Sequence, residues 1–229
     1  MARRYYRRRG RRRRRRGRPR WRYQYQRFPY KRVRRIAQRA GELKHTTGGV
    51  TYSNTSYNAN SGIANLYALS QGTSATTRLG DKIRLTKLQV RGRLYTNANE
   101  VKQTVRFIIA FMKSVEGTGI DSVAGREVVA ELLESWTNVH SFYNIQRSKN
   151  FRVMYDEIFE MGGGTHPNRI PLNLCFKTNL LTRFSANGGD DNDFETWMPF
   201  VYCYTTEADG APTDSVSLTL RTRARFYDQ

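Results

Sequence analysis

Residues Val216–Tyr227 read VSLTLRTRARFY. In an extended chain successive side chains point to opposite faces. Val216, Leu218, Leu220, Thr222, Ala224 and Phe226 then share one face, and Ser217, Thr219, Arg221, Arg223 and Arg225 share the other. A segment with this alternation is a strand with one buried face and one strongly basic face. Upstream, Ile83–Tyr95 repeats the pattern: Ile83, Leu85, Leu88, Val90 and Leu94 interleave with Lys82, Arg84, Lys87, Arg91 and Arg93. The period slips around Lys87, which predicts a long strand with a bulge. Thr104–Lys113 (TVRFIIAFMK) is almost continuously apolar, as expected of a strand covered on both faces. Asn150–Met161, Ile170–Phe184 and Trp197–Thr206 complete the strand set. Gly162-Gly163-Gly164, Gly188-Gly189 and Asp209-Gly210 mark turns. One helix is expected, Arg126–Glu134, with Val128, Val129, Leu132 and Leu133 on one face. Many strands, irregular connections and one short helix predict an all-β chain. The expected form is a single antiparallel jelly-roll β-sandwich of about eight strands with a short helix inserted.

The charge of the chain is concentrated elsewhere. Its 229 residues carry +21, but residues 1–39 hold 20 of the 40 Lys and Arg and no acid; the first acid is Glu42. The rest is close to neutral, with 20 bases against 19 acids. The expected organisation is a basic arm over residues 1–40 and a β-domain over residues 41–229. Residues 41–80 read as a polar connector of extended chain and loops. Twenty bases without an acid repel one another and bury no apolar surface, so the arm is expected to be disordered alone and to require a polyanion. The candidate nucleic-acid ligands are Arg3, Arg4, Arg7, Arg8, Arg9, Arg11, Arg12, Arg13, Arg14, Arg15, Arg16, Arg18, Arg20, Arg22, Arg27, Lys31, Arg32, Arg34, Arg35 and Arg39. Trp21 joins them as a platform on which a base can stack. Guanidinium groups on a flexible arm find phosphates, and no recognition helix is present to read base edges, so binding without sequence specificity is expected. No apolar stretch spans a bilayer and no apolar segment stands behind the charged N-terminus, so neither membrane insertion nor a secretory signal is expected.

Other constellations carry less. Gly162-Gly163-Gly164-Thr165 lacks the Lys-Ser/Thr ending of a phosphate loop and reads as a turn. Asp190, Asp191 and Asp193, with Glu195, offer alternate oxygen ligands of the kind Ca²⁺ takes, but their spacing departs from the EF-hand pattern and a solvated loop is the ordinary reading. No other cofactor is expected. Cys175 and Cys203 are too few for a disulfide framework or zinc site and read as buried thiols. His45, His140 and His166 are far apart and belong to no nucleophile or metal motif. Asp156 and Glu157 are adjacent and would point to opposite faces of a strand, so they form no acid/base pair and no enzyme activity is expected.

Several blocks taken in order are more specific. Arg78-Leu79-Gly80-Asp81-Lys82-Ile83-Arg84-Leu85 followed by Val90-Arg91-Gly92 resembles the first core strand of small viral capsid proteins. Thr104–Ile109, Glu131–Ser135, Asn144–Glu157 and the ending Arg223–Asp228 follow in the same order. The group resembled is that of satellite tobacco necrosis virus-like jelly rolls, shared by capsids of small circular Rep-encoding single-stranded DNA viruses. The resemblance runs from about Ile63 to the C-terminus and is weakest over Asn187–Trp197. It implies a T=1 icosahedral shell of sixty copies, with the arm inside on single-stranded DNA. It also implies that the arm serves as a nuclear localisation signal for host import receptors, with the virion and the host nucleus as locations. Sixty arms would supply roughly 1,200 positive charges, enough for on the order of 10³ phosphates. The arm's binding should be strongly salt-dependent. Nucleic acid retained by the full-length protein, followed by absorbance at 260 nm, is expected to fall by orders of magnitude between about 50 mM and 200 mM salt.

Overall fold

A computed structural model describes residues 43–52, 63–96, 102–113, 124–135, 138–185, 194–206 and 216–229. Nine strands run in chain order: β1 (Leu43–Tyr52), β2 (Ile63–Asn65), β3 (Lys82–Thr96), β4 (Lys102–Met112), β5 (Phe151–Gly162), β6 (Arg169–Phe184), β7 (Phe194–Thr196), β8 (Met198–Thr206) and β9 (Val216–Asp228). Among the described residues one α-helix, α1 (Ala124–Leu132), lies between β4 and β5. Two antiparallel sheets form, ordered β1-β9-β3-β6-β7 and β2-β8-β4-β5.

This order is that of one long hairpin rolled on itself. β4 pairs with β5, β3 with β6, β2 with β8 and β1 with β9, so the first half of the chain meets the second half in reverse order. The pairings β3·β9 and β4·β8 stitch neighbouring parts of the roll together. The result is a jelly-roll sandwich of eight strands, with three-residue β7 added at one sheet edge.

The apolar rows seen in the sequence become the core. Ile83, Leu85, Leu88, Val90 and Leu94 of β3 and Val216, Leu218, Leu220, Ala224 and Phe226 of β9 are buried in one cluster with Val105, Phe107, Ile109 and Phe111 of β4. Each such side chain contributes roughly 1.5–3 kcal/mol on leaving water. The slip near Lys87 is a register shift between Leu85 and Lys87 against both β6 and β9. β4 is buried without a break from Val105 to Phe111, as a strand covered on both faces must be. The helix lies two residues earlier than its apolar stripe suggests, over Ala124–Leu132. Gly162, Gly163 and Gly164 all hold positive φ, at 77°, 67° and 70°, and form the turn from β5 to β6.

Two expectations are corrected. Residues 43–52, assigned to a polar connector, are an edge strand, so β3 is the third strand of the roll and not the first. Alternation did not reveal β1 because its inward row is polar: Lys44, Thr46 and Gly48 precede Val50. Each polar inward group has its own partner. Lys44 Nζ pairs with Asp228 at 3.0 Å and donates to the Thr77 carbonyl, and Thr46 Oγ1 donates to the Ala68 carbonyl. The second correction concerns Cys175. Cys203 is buried, but Cys175 is exposed on the outward side of β6.

Gly92 marks the tightest approach in the basic sheet. A Cβ there would lie 2.0 Å from the Thr219 carbonyl oxygen and 2.8 Å from Leu220 Cδ2. Gly92→Ala must therefore push β3 from β9. It is expected to lower stability by about 1–3 kcal/mol, read as a reduced urea midpoint.

Candidate nucleic-acid interface

The outward row of β9 sets the chemistry of the first sheet. Arg91 on β3 sits opposite Arg221, Gln89 opposite Arg223 and Lys87 opposite Arg225. On the other side of β9 stand the small or polar Gly49, Thr47 and His45. β6 continues the face with Asn173 opposite Arg91 and Lys177 opposite Lys87. Arg91, Arg93, Arg221 and Arg223 are exposed, and Arg225 is half-buried.

The small residues of β1 leave room beside this row. Thr47, Gly48, Gln89, Arg91, Arg221, Arg223 and Arg225 line an open groove of about 450 Å³. A Cβ added at Gly49 would lie 3.7 Å from Arg221 Cδ, so the guanidinium arm lies across that glycine.

Acids are scarce on this sheet. β3 contributes five Lys or Arg, β6 three, β9 three and β1 one, against only Glu195 on β7 and Asp228 on β9. Asp228 belongs to the inward row and is neutralised by Lys44. The second sheet is balanced, with Lys102, Arg106 and Arg152 against Asp156, Glu157 and Glu160. Charge is thus separated across the sandwich. Like charges directly opposed across a ladder destabilise it, and Arg91–Arg221 and Lys87–Arg225 are two such pairs. A polyanion laid over the row removes that repulsion, and guanidinium forks match phosphate oxygens in geometry and charge.

The second sheet uses its charges internally. Arg106, buried, donates from Nε and Nη2 to Asp156 at 2.9 and 2.7 Å and from Nη1 to the Val139 and Ser141 carbonyls. The Tyr143 hydroxyl donates to the same carboxylate. Burial, and then the bond to Asp156, hold that phenol well above its usual pKa, so it remains a donor. Asp156 faces this cluster, while neighbouring Glu157 accepts from Tyr155. The two carboxylates do lie on opposite faces of the strand. Burial also raises the Tyr155 phenol, to about 12, helped by its bond to Glu157.

Of the residues singled out from sequence, the structure brings Arg91, Arg221, Arg223 and Arg225 together around one groove, with Arg93 on the same strand face. Lys87, named at the slip of the period, belongs to the same face, and so does Lys177, which was not singled out. The signal for them was the ladder register, which the sequence does not print. The arm residues Arg3 through Arg39, with Trp21, and the aspartates Asp190, Asp191 and Asp193 lie outside the described residues. Among the described residues no group of His, Cys, Asp and Glu is arranged to hold a metal ion. No helix among them is long and apolar enough to cross a membrane.

No protein-family model matches the chain, and no curated protein matches it. Among solved structures, it is similar to a chain of Desmodium yellow mottle tymovirus, at 12% identity over 82% of this chain and 88% of that one, with a TM-score of 0.39. It is similar to a chain of Israeli acute paralysis virus in its full particle, at 13% identity over 80% and 68%, with a TM-score of 0.37. It is also similar to a chain of the T13 IBDV viral particle, at 12% identity over 82% of this chain and 31% of that one, with a TM-score of 0.30.

Replacing Arg223 and Arg225 together by Glu should lower nucleic-acid binding of the full-length protein and reduce the slope of log affinity against log salt by about 1–2. Fluorescence anisotropy with a labelled oligonucleotide at several salt concentrations measures it. An unchanged slope in folded protein would remove these residues from the interface.

Proposed function

We propose that the chain is a viral capsid protein, which self-assembles into a small T=1 icosahedral shell of sixty copies and packages a single-stranded DNA genome. Residues 1–40 act as the genome-binding arm, and residues 41–229 form the jelly-roll shell domain. The observation that carries this reading is the basic, acid-poor face of the sheet that contains β1, the strand the arm leads into. Chain continuity delivers residues 1–42 to the head of β1, at the edge of that sheet. The arm and the sheet face each offer cationic groups to phosphates, while the second sheet is electrically balanced. Such a one-sided charge distribution suits a wall subunit with nucleic acid on one side only.

The ordered blocks that resemble capsids of small circular Rep-encoding single-stranded DNA viruses favour DNA as the cargo. In the same reading the arm also engages host nuclear import receptors, and the protein occupies the virion and the host nucleus. Repulsion among like-charged arms couples assembly to genome binding, because phosphates must neutralise the arms before they can be confined together.

Size-exclusion chromatography with absorbance at 260 and 280 nm, on the full-length protein and on residues 41–229, tests the reading. A megadalton peak for both, with nucleic acid only in the full-length sample, is the expected result. Species near 26.7 kDa or a small multiple, still binding nucleic acid through the arm, would replace the capsid reading with that of a nucleic-acid-binding protein that forms no particle.

A further inference from the structure

Exposed large apolar side chains are few among the described residues, and four of the six fall between residues 142 and 158. Phe142 is 79% exposed, Ile145 83%, Val153 36% and Ile158 39%. Phe142 and Ile145 lie on the segment before β5, and Val153 and Ile158 lie on β5 itself.

β5 is the outer strand of its sheet and is twelve residues long. Among the described residues no strand pairs with its free side. The other long edge, β1, is covered: His45 N donates to the Ala75 carbonyl, Thr46 to the Ala68 carbonyl, and Gly48 lies against the Leu66 carbonyl.

The apolar patch is held in place rather than left loose. The Phe142 carbonyl accepts from Glu134 N at 2.9 Å, and Asn144 N donates to the Leu132 carbonyl at 2.9 Å. Arg106 grips the Val139 and Ser141 carbonyls just before it, and Tyr143 is tied to Asp156 just after it. The backbone on both sides of Phe142 is therefore fixed, and its ring stands in solvent. A rigid exposed aromatic of this kind binds with little loss of conformational entropy.

The charges around the patch are sorted. Arg147, Lys149 and Arg152 lie before Glu157 along the chain, while Asp156 is taken up by Arg106 and Tyr143 and Glu160 by Lys102. A β-bulge between Ile109 and Ala110, opposite Tyr155 and Val153, shifts the alternation of β5. Arg152, opposite Phe111, and Glu157, opposite Phe107, are thereby brought to the same face of the strand. Arg147, Lys149 and Arg152 make no ion pair within the described residues. A surface that is positive at one end and negative at the other is complementary to itself after a two-fold rotation.

We propose that Phe142, Ile145 and the exposed side of β5 form a two-fold contact with a second copy of this chain. Antiparallel pairing of the two β5 edges buries Val153 and Ile158 on one face of the strand and sets Arg152 of each copy against Glu157 of the other on the opposite face. The proposal rests on the capsid reading for its biological setting, since it names one of the contacts by which subunits of a shell would meet. The charge pattern selects a second copy over an unrelated partner, because both halves of the match are present on one chain.

Sedimentation velocity of the full-length protein tests it. Ile145→Asp, at a position so exposed that no core is disturbed, is expected to move most of the mass from the assembled species to slower ones while circular dichroism stays unchanged. Arg152→Glu and Glu157→Arg should each do the same, and the two together should restore assembly. Assembly unchanged in all of these variants would overturn the proposal and leave the capsid reading standing. If the unaltered chain forms no particle but a dimer that Ile145→Asp dissociates and the charge swap restores, the contact stands and the capsid reading falls.

Discussion

β9 must satisfy two demands at once, and the rest of the molecule follows from how it does so. It lies between β1 and β3, so it closes the roll by joining the first strand to the core. Its inward row fills the interior with Val216, Leu218, Leu220, Ala224 and Phe226, all at 0–1% exposure. Its outward row places three arginines in mid-sheet, with an arginine and a lysine opposite two of them on β3. The hydrophobic burial of one row offsets the electrostatic cost of the other. Because a strand's period is two, neither row can move without the other: a slip of one residue would bury the arginines and expose the core.

The same separation of duties holds across the sandwich. Apart from the inward Lys44–Asp228 pair, one sheet keeps its charges outward. The other turns its one buried arginine inward upon Asp156, two carbonyls and the face of Tyr143, where the ring centroid lies 5.5 Å from the guanidinium carbon. Arg78 does similar work at the entrance to β3. It is fully buried, bonds to the carbonyls of Leu69 and Gly80 and lies 4.3 Å over the ring of Phe184. The Arg78-Leu79-Gly80-Asp81 block, conspicuous in the sequence, is therefore a structural clasp. Burying a charge is tolerable only when its hydrogen bonds are met in this way.

Much of this was legible in the residues. Alternation located β3, β5, β6, β8 and β9 to within a residue or two, and the slip at Lys87 located a real register shift. The unbroken apolar run of β4 correctly implied cover on both faces. What remained hidden shared one cause, dependence on partners distant in sequence. β1 has an inward row of Lys44, Thr46 and Gly48, and only Asp228 and the 66–77 segment make that row tolerable. Cys175 is flanked by residues that suit a strand, but which side it faces depends on its position opposite Gln89. Lys87 and Lys177 join the basic face only through register. The arginines of β3 and β9 were visible as a basic face from alternation alone. That β3 and β9 are neighbours, which turns two basic rows into one groove, was not.

The rolled hairpin also has a consequence in time. Leu43 pairs with Tyr227 and Tyr52 with Leu218, so the strand joined to the arm waits for the last strand to be synthesised. Contacts of such long sequence separation form late and slowly. An incomplete chain, emerging N-terminus first from the ribosome, displays the arginine-rich arm but has no finished basic sheet behind it. The groove is therefore a mark of completion. Truncated products carry the arginine-rich segment without the completed basic face, so the two concentrations of positive charge occur together only in a finished chain.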